Sequence, residues 1–194
     1  MKQNNILLLL VLLVALPISG QTVAIKTNLL YLATTTPNIG LECQLSKHCT
    51  ASLTCGYNPF RFAEHEDAQG NKMNPKIHHW LASGEVRYWF CESFLGWNMG
   101  VNVFGGDYNV GGLKFINSLK DNRYKGWGTG AGMTVGYQFP LSVRWSLDLS
   151  AGIGYVHTRY NKYECYACGD KEGSFKRNYW GPTKAAVSIV YFLK

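Results

Sequence analysis

The chain has 194 residues, which suits a single domain, and carries a formal net charge of +7. Charged residues make up only 16% of the sequence, whereas roughly 25% is usual in a soluble domain. The basic residues form no stripe of the kind that binds nucleic acid, so we expect no nucleic-acid partner. Basic loops that face an anionic cell surface explain the charge better.

Residues 1–20 are predicted to be a secretory signal peptide. Lys2 gives a short positive start, Ile6–Leu16 is an unbroken apolar run, and small residues precede a cut before Gln21. A membrane anchor is the alternative, but this run is too short, since a bilayer needs about 20 apolar residues in a helix. The residue after the cut is not cysteine, so we expect no lipid anchor, and residues 21–194 form the mature domain.

After Gln21, apolar and polar residues alternate with a period of two, which is typical of β-strands. No segment shows a convincing helical period. We predict eight strands: Val23–Leu32, Ile39–Leu45, Cys49–Tyr57, Ile77–Phe90, Gly96–Gly105, Tyr124–Gln138, Ser142–His157 and Tyr179–Leu193.

The predicted connections alternate between short turns at one end of the strands and long loops at the other. The exception is the connection between the first two strands, which is short although it lies at the end with the long loops. The long ones are Pro59–Lys76, Gly106–Arg123 and Thr158–Asn178. Outer-membrane barrels have short periplasmic turns and longer outer loops. An even number of strands then places both termini in the periplasm.

The two faces of the strands indicate which side meets lipid. In the sixth strand, bulky residues from Trp127 to Phe139 alternate with glycines and Thr134. The bulky face has too much volume for a small interior, and the opposite face would make a poor solvated surface. The sequence therefore predicts an all-β fold, an eight-stranded antiparallel up-and-down transmembrane β-barrel with its apolar side chains outward.

Aromatic residues on the apolar face recur ten residues apart, as in Trp127 and Tyr137 or Trp145 and Tyr155. Ten residues rise roughly 33 Å, and a tilt of about 40° projects this to about 25 Å, the height of a lipid-facing band. We expect two aromatic belts. The outer belt comprises Tyr31, Tyr57, Trp80, Trp127, Tyr155 and Tyr179, and the inner belt Phe90, Trp97, Tyr137, Trp145 and Tyr191.

Seven charged residues fall on the inward face by alternation. They are Lys26, Glu42, Glu85, Arg87, Arg144, Asp148 and Lys184. An unpaired charge inside a narrow barrel costs several kcal/mol, so the charges must pair. A salt-bridge network that plugs the interior is favoured over an ion path, because eight strands leave room only for side chains.

The other candidate residues carry weaker signals. Cys165 and Cys168 lie in the last outer loop. A redox motif would need a helix N-terminus beside them, and a zinc site would need a second pair of ligands nearby, but the sequence predicts neither. A local disulfide, or two free thiols, is the preferred interpretation. His78 and His157 lie near the outer rim, but the nearest serine, Ser83, is on the opposite face from His78. We expect no catalytic residues, no metal and no cofactor.

Six stretches resemble a family of uncharacterised outer-membrane proteins common in Bacteroidetes. They are Lys26–Tyr31, Thr36–Glu42, Gly56–Phe60, His79–Leu81, Glu85–Trp89 and Trp180–Lys184. The resemblance implies a small barrel of the OmpA/OmpX type with eight strands, and it supplies no catalytic residues. Members are often encoded near surface-fimbria genes, which implies a role beside adhesive surface assemblies.

The leading functional hypothesis is a non-enzymatic barrel of the bacterial outer membrane. Its partners would be outer-membrane lipid and, through the long loops, surface or fimbrial proteins, with roles in partner binding, adhesion or envelope support. One alternative is a lipid-modifying barrel enzyme. The other is a soluble periplasmic barrel that binds a small apolar ligand, with its faces reversed.

Overall fold

The computed structural model describes residues 22–60, 65–66, 72–73, 76–111, 122–164 and 171–193. Within these residues the chain forms ten strands and one short helix. In chain order they are β1 (Val23–Asn28), α1 (Leu29–Ala33), β2 (Asn38–Ser46), β3 (Cys49–Asn58), β4 (His65–Glu66), β5 (Lys72–Met73), β6 (Lys76–Trp89), β7 (Gly96–Gly111), β8 (Asn122–Pro140), β9 (Trp145–Glu164) and β10 (Lys171–Phe192).

Eight of the strands form one closed barrel in the order β1, β2, β3, β6, β7, β8, β9 and β10, and β10 pairs back with β1. Neighbouring strands are antiparallel throughout, so the chain runs up and down around the ring. The predicted all-β architecture of eight antiparallel strands is confirmed. The two remaining strands, β4 and β5, pair with each other between β3 and β6. Among the described residues, no helix is long and apolar enough to span a membrane.

Strands β7 to β10 extend well beyond their predicted ends. Gly111 pairs with Arg123, and Tyr163 pairs with Lys171. The prediction that Gly106–Arg123 and Thr158–Asn178 are loops is therefore wrong at both flanks of each segment. Their glycine, asparagine and lysine residues disfavour strands on their own, but pairing with a neighbouring strand overrides this weak preference. The predicted disulfide residues Cys165 and Cys168 lie outside the described residues.

The first strand is shorter than predicted, because it ends at Asn28 instead of Leu32. The Asn28 side chain accepts a hydrogen bond from the backbone N–H of Leu30 (3.0 Å) and so caps α1. Tyr31 consequently lies on this helix and lines the mouth of the interior. Its predicted place in the outer aromatic belt is wrong.

The barrel has a polar interior and an apolar exterior. Among the described residues, the buried side chains include seventeen polar or charged ones and five hydrophobic ones. The exterior carries exposed apolar side chains such as Met133, Val103 and Leu53, which are 70%, 62% and 59% exposed. The interior therefore lacks the apolar lining that the alternative of a soluble barrel with reversed faces requires.

A β-bulge between Pro182 and Lys184 changes which side chains of β10 face outward. A bulge adds one residue to one strand, which reverses the alternation beyond it. Trp180 pairs with the outward Tyr155 and is 72% exposed. Tyr179 pairs with Val156 and borders the interior, so the prediction that it faces outward in the outer belt is wrong. Trp180 faces outward at this level instead.

Candidate functional site: the charged interior

Arg87 of β6 lies at the centre of the interior and is 2% exposed. Its Nη1 and Nη2 donate hydrogen bonds to Asp148 Oδ2 at 3.0 Å each, and its Nε donates to Glu85 Oε2 at 2.9 Å. Nη1 also lies 3.9 Å from Glu42 Oε2. The planar guanidinium fork suits such divided contacts. One side chain therefore ties together carboxylates from β2, β6 and β9, on different sides of the ring.

Two lysines complete the charge balance of this cluster. Lys26 Nζ lies 2.9 Å from Glu42 Oε2, and Lys184 Nζ lies 2.7 Å from Glu85 Oε2. With Arg87 and Asp148, the cluster holds three basic and three acidic groups, so its formal charge is zero. Buried charges are tolerated when each is paired and hydrogen-bonded. Six of the seven residues predicted from alternation thus lie together in one network.

Arg144 does not join this network. It is exposed in the turn before β9, where the backbone N–H groups of Leu141 and Ser142 donate to the Trp145 carbonyl. The prediction that its side chain enters the interior is wrong. The reason is geometric: strict alternation holds only within a strand, and β9 begins at Trp145.

Two threonines that the sequence did not single out bind the network's carboxylates. Thr50 Oγ1 donates to Glu42 Oε1, and Thr134 Oγ1 donates to Glu85 Oε1, each at 2.6 Å. The second contact spans β7 and needs a residue without a side chain at Gly100, where an added Cβ would lie 2.8 Å from Thr134 Oγ1. Inward glycines thus leave room for these hydrogen bonds. The position of such glycines is a feature of the sequence that could have indicated the contacts, whereas the alternation of polar and apolar residues could not.

Trp89 closes the interior at the end with short turns. It is fully buried, and its Nε1 donates to Thr50 Oγ1 at 3.0 Å. Its ring packs against Phe94 with a centroid distance of 5.8 Å, in a cluster that includes Ala24 and Val190. Trp89 follows Arg87 by two positions, so the alternation already placed it inward, although the surrounding aromatic run pointed to the exterior.

Towards the opposite end, the interior contains a cavity of about 170 Å³. All three cationic side chains of the network line it, beside Tyr31 and Asn102. Asn102 Oδ1 and other buried polar atoms near the network make no hydrogen bond to the described residues. A polar cavity of this kind suits ordered water, so this part of the interior is polar but not filled by protein.

The rim histidines contact other partners than serine. His78 Nε2 lies 3.2 Å from the Tyr57 hydroxyl, and His157 Nδ1 lies 2.7 Å from Asn178 Oδ1. Hydrolysis through a serine needs that hydroxyl within hydrogen-bond reach of the histidine. Nor does the part of the chain that the structure describes bring together three His, Cys, Asp or Glu side chains that could hold a metal ion.

Comparison with known families gives one match, which covers nearly the whole chain. The matching family model is described as "Protein of unknown function (DUF3575)" and spans residues 6–193. This range includes every barrel strand described above. A comparison with curated proteins finds no match.

Proposed function

This chain belongs to the DUF3575 family, whose function is unknown, and we propose that it is a small, non-enzymatic barrel of the bacterial outer membrane. Both termini would lie in the periplasm, and the end with the extended strands would face outward from the cell. That end would bind a surface partner, support adhesion or stiffen the envelope. The observation that carries the proposal is the polarity of the wall, with paired charges inside and apolar side chains outside.

The apolar exterior supports membrane insertion. Exposed apolar residues cover the outside of the wall, and aromatic residues lie towards its two ends. Trp97 contacts Tyr137, and Trp145 contacts Tyr191, with ring centroids 5.1 and 4.8 Å apart at the short-turn end. Trp80 and Trp127 stand at the other end of the band. Soluble proteins rarely expose an apolar patch of more than a few hundred Å², whereas lipid stabilises such a surface.

Side chains fill the interior near the end with short turns, which supports a barrel that does not conduct ions. Arg87 joins strands from different sides of the ring, and Trp89 lies between Arg87 and the end with short turns. An eight-stranded barrel has an interior just wide enough to be filled by side chains. The proposed activity therefore belongs to the exterior and to the far end, where surface or fimbrial proteins are the partners that the family resemblance suggests.

A lysine on the exterior tests membrane insertion directly. Met133 is 70% exposed near the middle of the apolar band, and Val143 is 96% exposed in a turn. In a membrane barrel, Met133→Lys should cost about 2–4 kcal/mol of stability, and Val143→Lys should cost little. In a soluble protein both substitutions would be harmless. The stability of both variants is measured by unfolding in lipid vesicles. The folded fraction is determined from the difference in gel mobility between boiled and unboiled samples.

Two further measurements complete the test. Fractionation of cells should recover the chain in the outer membrane, and recovery in the soluble periplasm would overturn the proposal. The purified protein in planar bilayers should show no stable open-channel current. A steady ohmic conductance would contradict the closed interior.

A further inference from the structure

Five strands bring one row of outward side chains to the level of the outer tryptophans. From β6 to β10, direct cross-strand neighbours are Trp80, Asp107, Trp127, Arg159 and Lys176. All five are exposed, and they line one concave surface. The row stands where the apolar exterior ends. In the proposed orientation it lies at the level of the lipid headgroups.

Two cations in this row stand side by side. Arg159 and Lys176 are direct neighbours on β9 and β10, and like charges in this position repel each other. The Arg159 guanidinium carbon lies 5.6 Å from the centroid of the Trp127 ring. Asp107 lies beyond that ring and accepts a hydrogen bond from Trp80 Nε1 at 2.9 Å. Among the described residues, neither cation takes part in an ion pair.

Below the two tryptophans the exterior is indented. Ala82, Gly105 and Thr129 lie between the two indoles in a groove of about 370 Å³. One row further down, Gly84 also faces outward. A Cβ added at Gly84 would meet its nearest atom, in the Val103 side chain, at 4.0 Å. Packing within the wall therefore does not require glycine there. The groove lies on β6, β7 and β8 below Trp80, Asp107 and Trp127, and Trp127 is the direct cross-strand neighbour of Arg159.

We propose that this surface binds one phosphorylated membrane lipid. The phosphate lies between Arg159 and Lys176, and an acyl chain follows the groove along Ala82, Gly105 and Gly84. An arginine fork and a lysine are the usual protein donors to phosphate oxygens, and a phosphate relieves the repulsion between the two cations. The tryptophans on both sides of the groove, Trp80 and Trp127, are the type of residue that is enriched at the membrane interface. This inference rests on the proposed function, because the lipid reaches the groove only from a bilayer.

Native mass spectrometry of the folded protein in mild detergent tests the inference. The probes are phosphatidic acid and phosphatidylcholine with the same acyl chains, added in equal amounts. We expect about tenfold greater retention of phosphatidic acid, because its phosphate monoester carries more negative charge and no choline cation that the two basic side chains would repel. Inorganic phosphate at millimolar concentration should not displace it, since the acyl chain contributes to binding.

Variants separate the two halves of the site. The double substitution Arg159→Gln and Lys176→Gln should remove the preference for phosphatidic acid. Gly84→Leu should lower the retention of both lipids by filling the groove. Arg144→Gln removes a charge at the opposite end of the barrel, and Ala151→Leu enlarges an outward residue elsewhere on the exterior. Both controls should bind as the original chain does.

Several outcomes would overturn the inference. Equal retention of the two lipids, or variants that bind as well as the original chain, would exclude the site. Full displacement by inorganic phosphate would exclude the acyl groove. The same samples are tested for heat-dependent gel mobility and membrane insertion. A membrane barrel without lipid preference overturns this inference alone, whereas a chain that does not insert overturns the proposed function as well.

Discussion

The barrel holds its charged side chains in two opposite settings. Inside, Arg87, Lys26 and Lys184 each contact a carboxylate at 3.0 Å or less. Outside, Arg159 and Lys176 stand beside each other and are exposed. A buried charge is stable only if the chain itself supplies the partner, whereas an exposed charge can take its partner from the surroundings. We therefore expect the interior network to be required for folding, whereas the outer pair can take a partner from outside the chain.

Removal of Arg87 should give the largest effect on stability. Arg87→Ala leaves Glu42, Glu85 and Asp148 buried with too few positive partners, because Arg87 contacts all three. Breaking a buried pair by removing one partner costs about 3–5 kcal/mol. The free energy of unfolding of the variant, measured with denaturant in vesicles or detergent, should fall by this amount.

Arg144→Ala is the matched control, because it removes the same side chain from an exposed turn. Its free energy of unfolding should stay within about 0.5 kcal/mol of the original value. If both substitutions destabilise equally, the contrast between interior and exterior charges is wrong.

Much of the interior followed from the sequence, because side-chain alternation is a strict property of strands. Lys26, Glu42, Glu85, Arg87 and Asp148 lie well within β1, β2, β6 and β9, and all of them are buried. Their pairing partners did not follow, since contacts across the ring depend on strand register and on glycines that alternation does not reveal.

The predicted side-chain directions were wrong where strands begin, end or bulge. Arg144 belongs to a turn, Tyr31 to a helix capped by Asn28, and Tyr179 to a segment beyond the bulge at Pro182. One extra residue or a changed strand end reverses the predicted face. The charged outer row also escaped prediction, because four cross-strand registers must be known before its members become neighbours.

Trp89→Phe should give a moderate loss of stability, because Trp89 closes the interior at the end with short turns. Phenylalanine keeps most of the ring packing against Phe94 but removes the hydrogen bond from Nε1 to Thr50 Oγ1. A typical hydrogen bond contributes about 0.5–1.5 kcal/mol to stability. Denaturant unfolding should show a loss in this range. Trp97→Phe, which changes an exposed tryptophan of the exterior, is the control, and an equal loss there would contradict the interior role of Trp89.

Lys176→Gln should give the smallest effect, and of opposite sign. In detergent that contains no anionic lipid, this substitution removes the repulsion between Lys176 and its cross-strand neighbour Arg159. Cross-strand pairs contribute about 0.2–1 kcal/mol, and exposure to water and salt weakens the repulsion, so we expect a gain of a few tenths of a kcal/mol. The gain should shrink as salt rises. Lys125→Gln is the matched control, because Lys125 is an exposed lysine whose cross-strand neighbours, Asn109 and Asn161, are uncharged, and it should show no such gain. A loss of stability from Lys176→Gln in lipid-free detergent would show that a partner within the chain already neutralises Lys176, and the difference between interior and exterior charges would disappear.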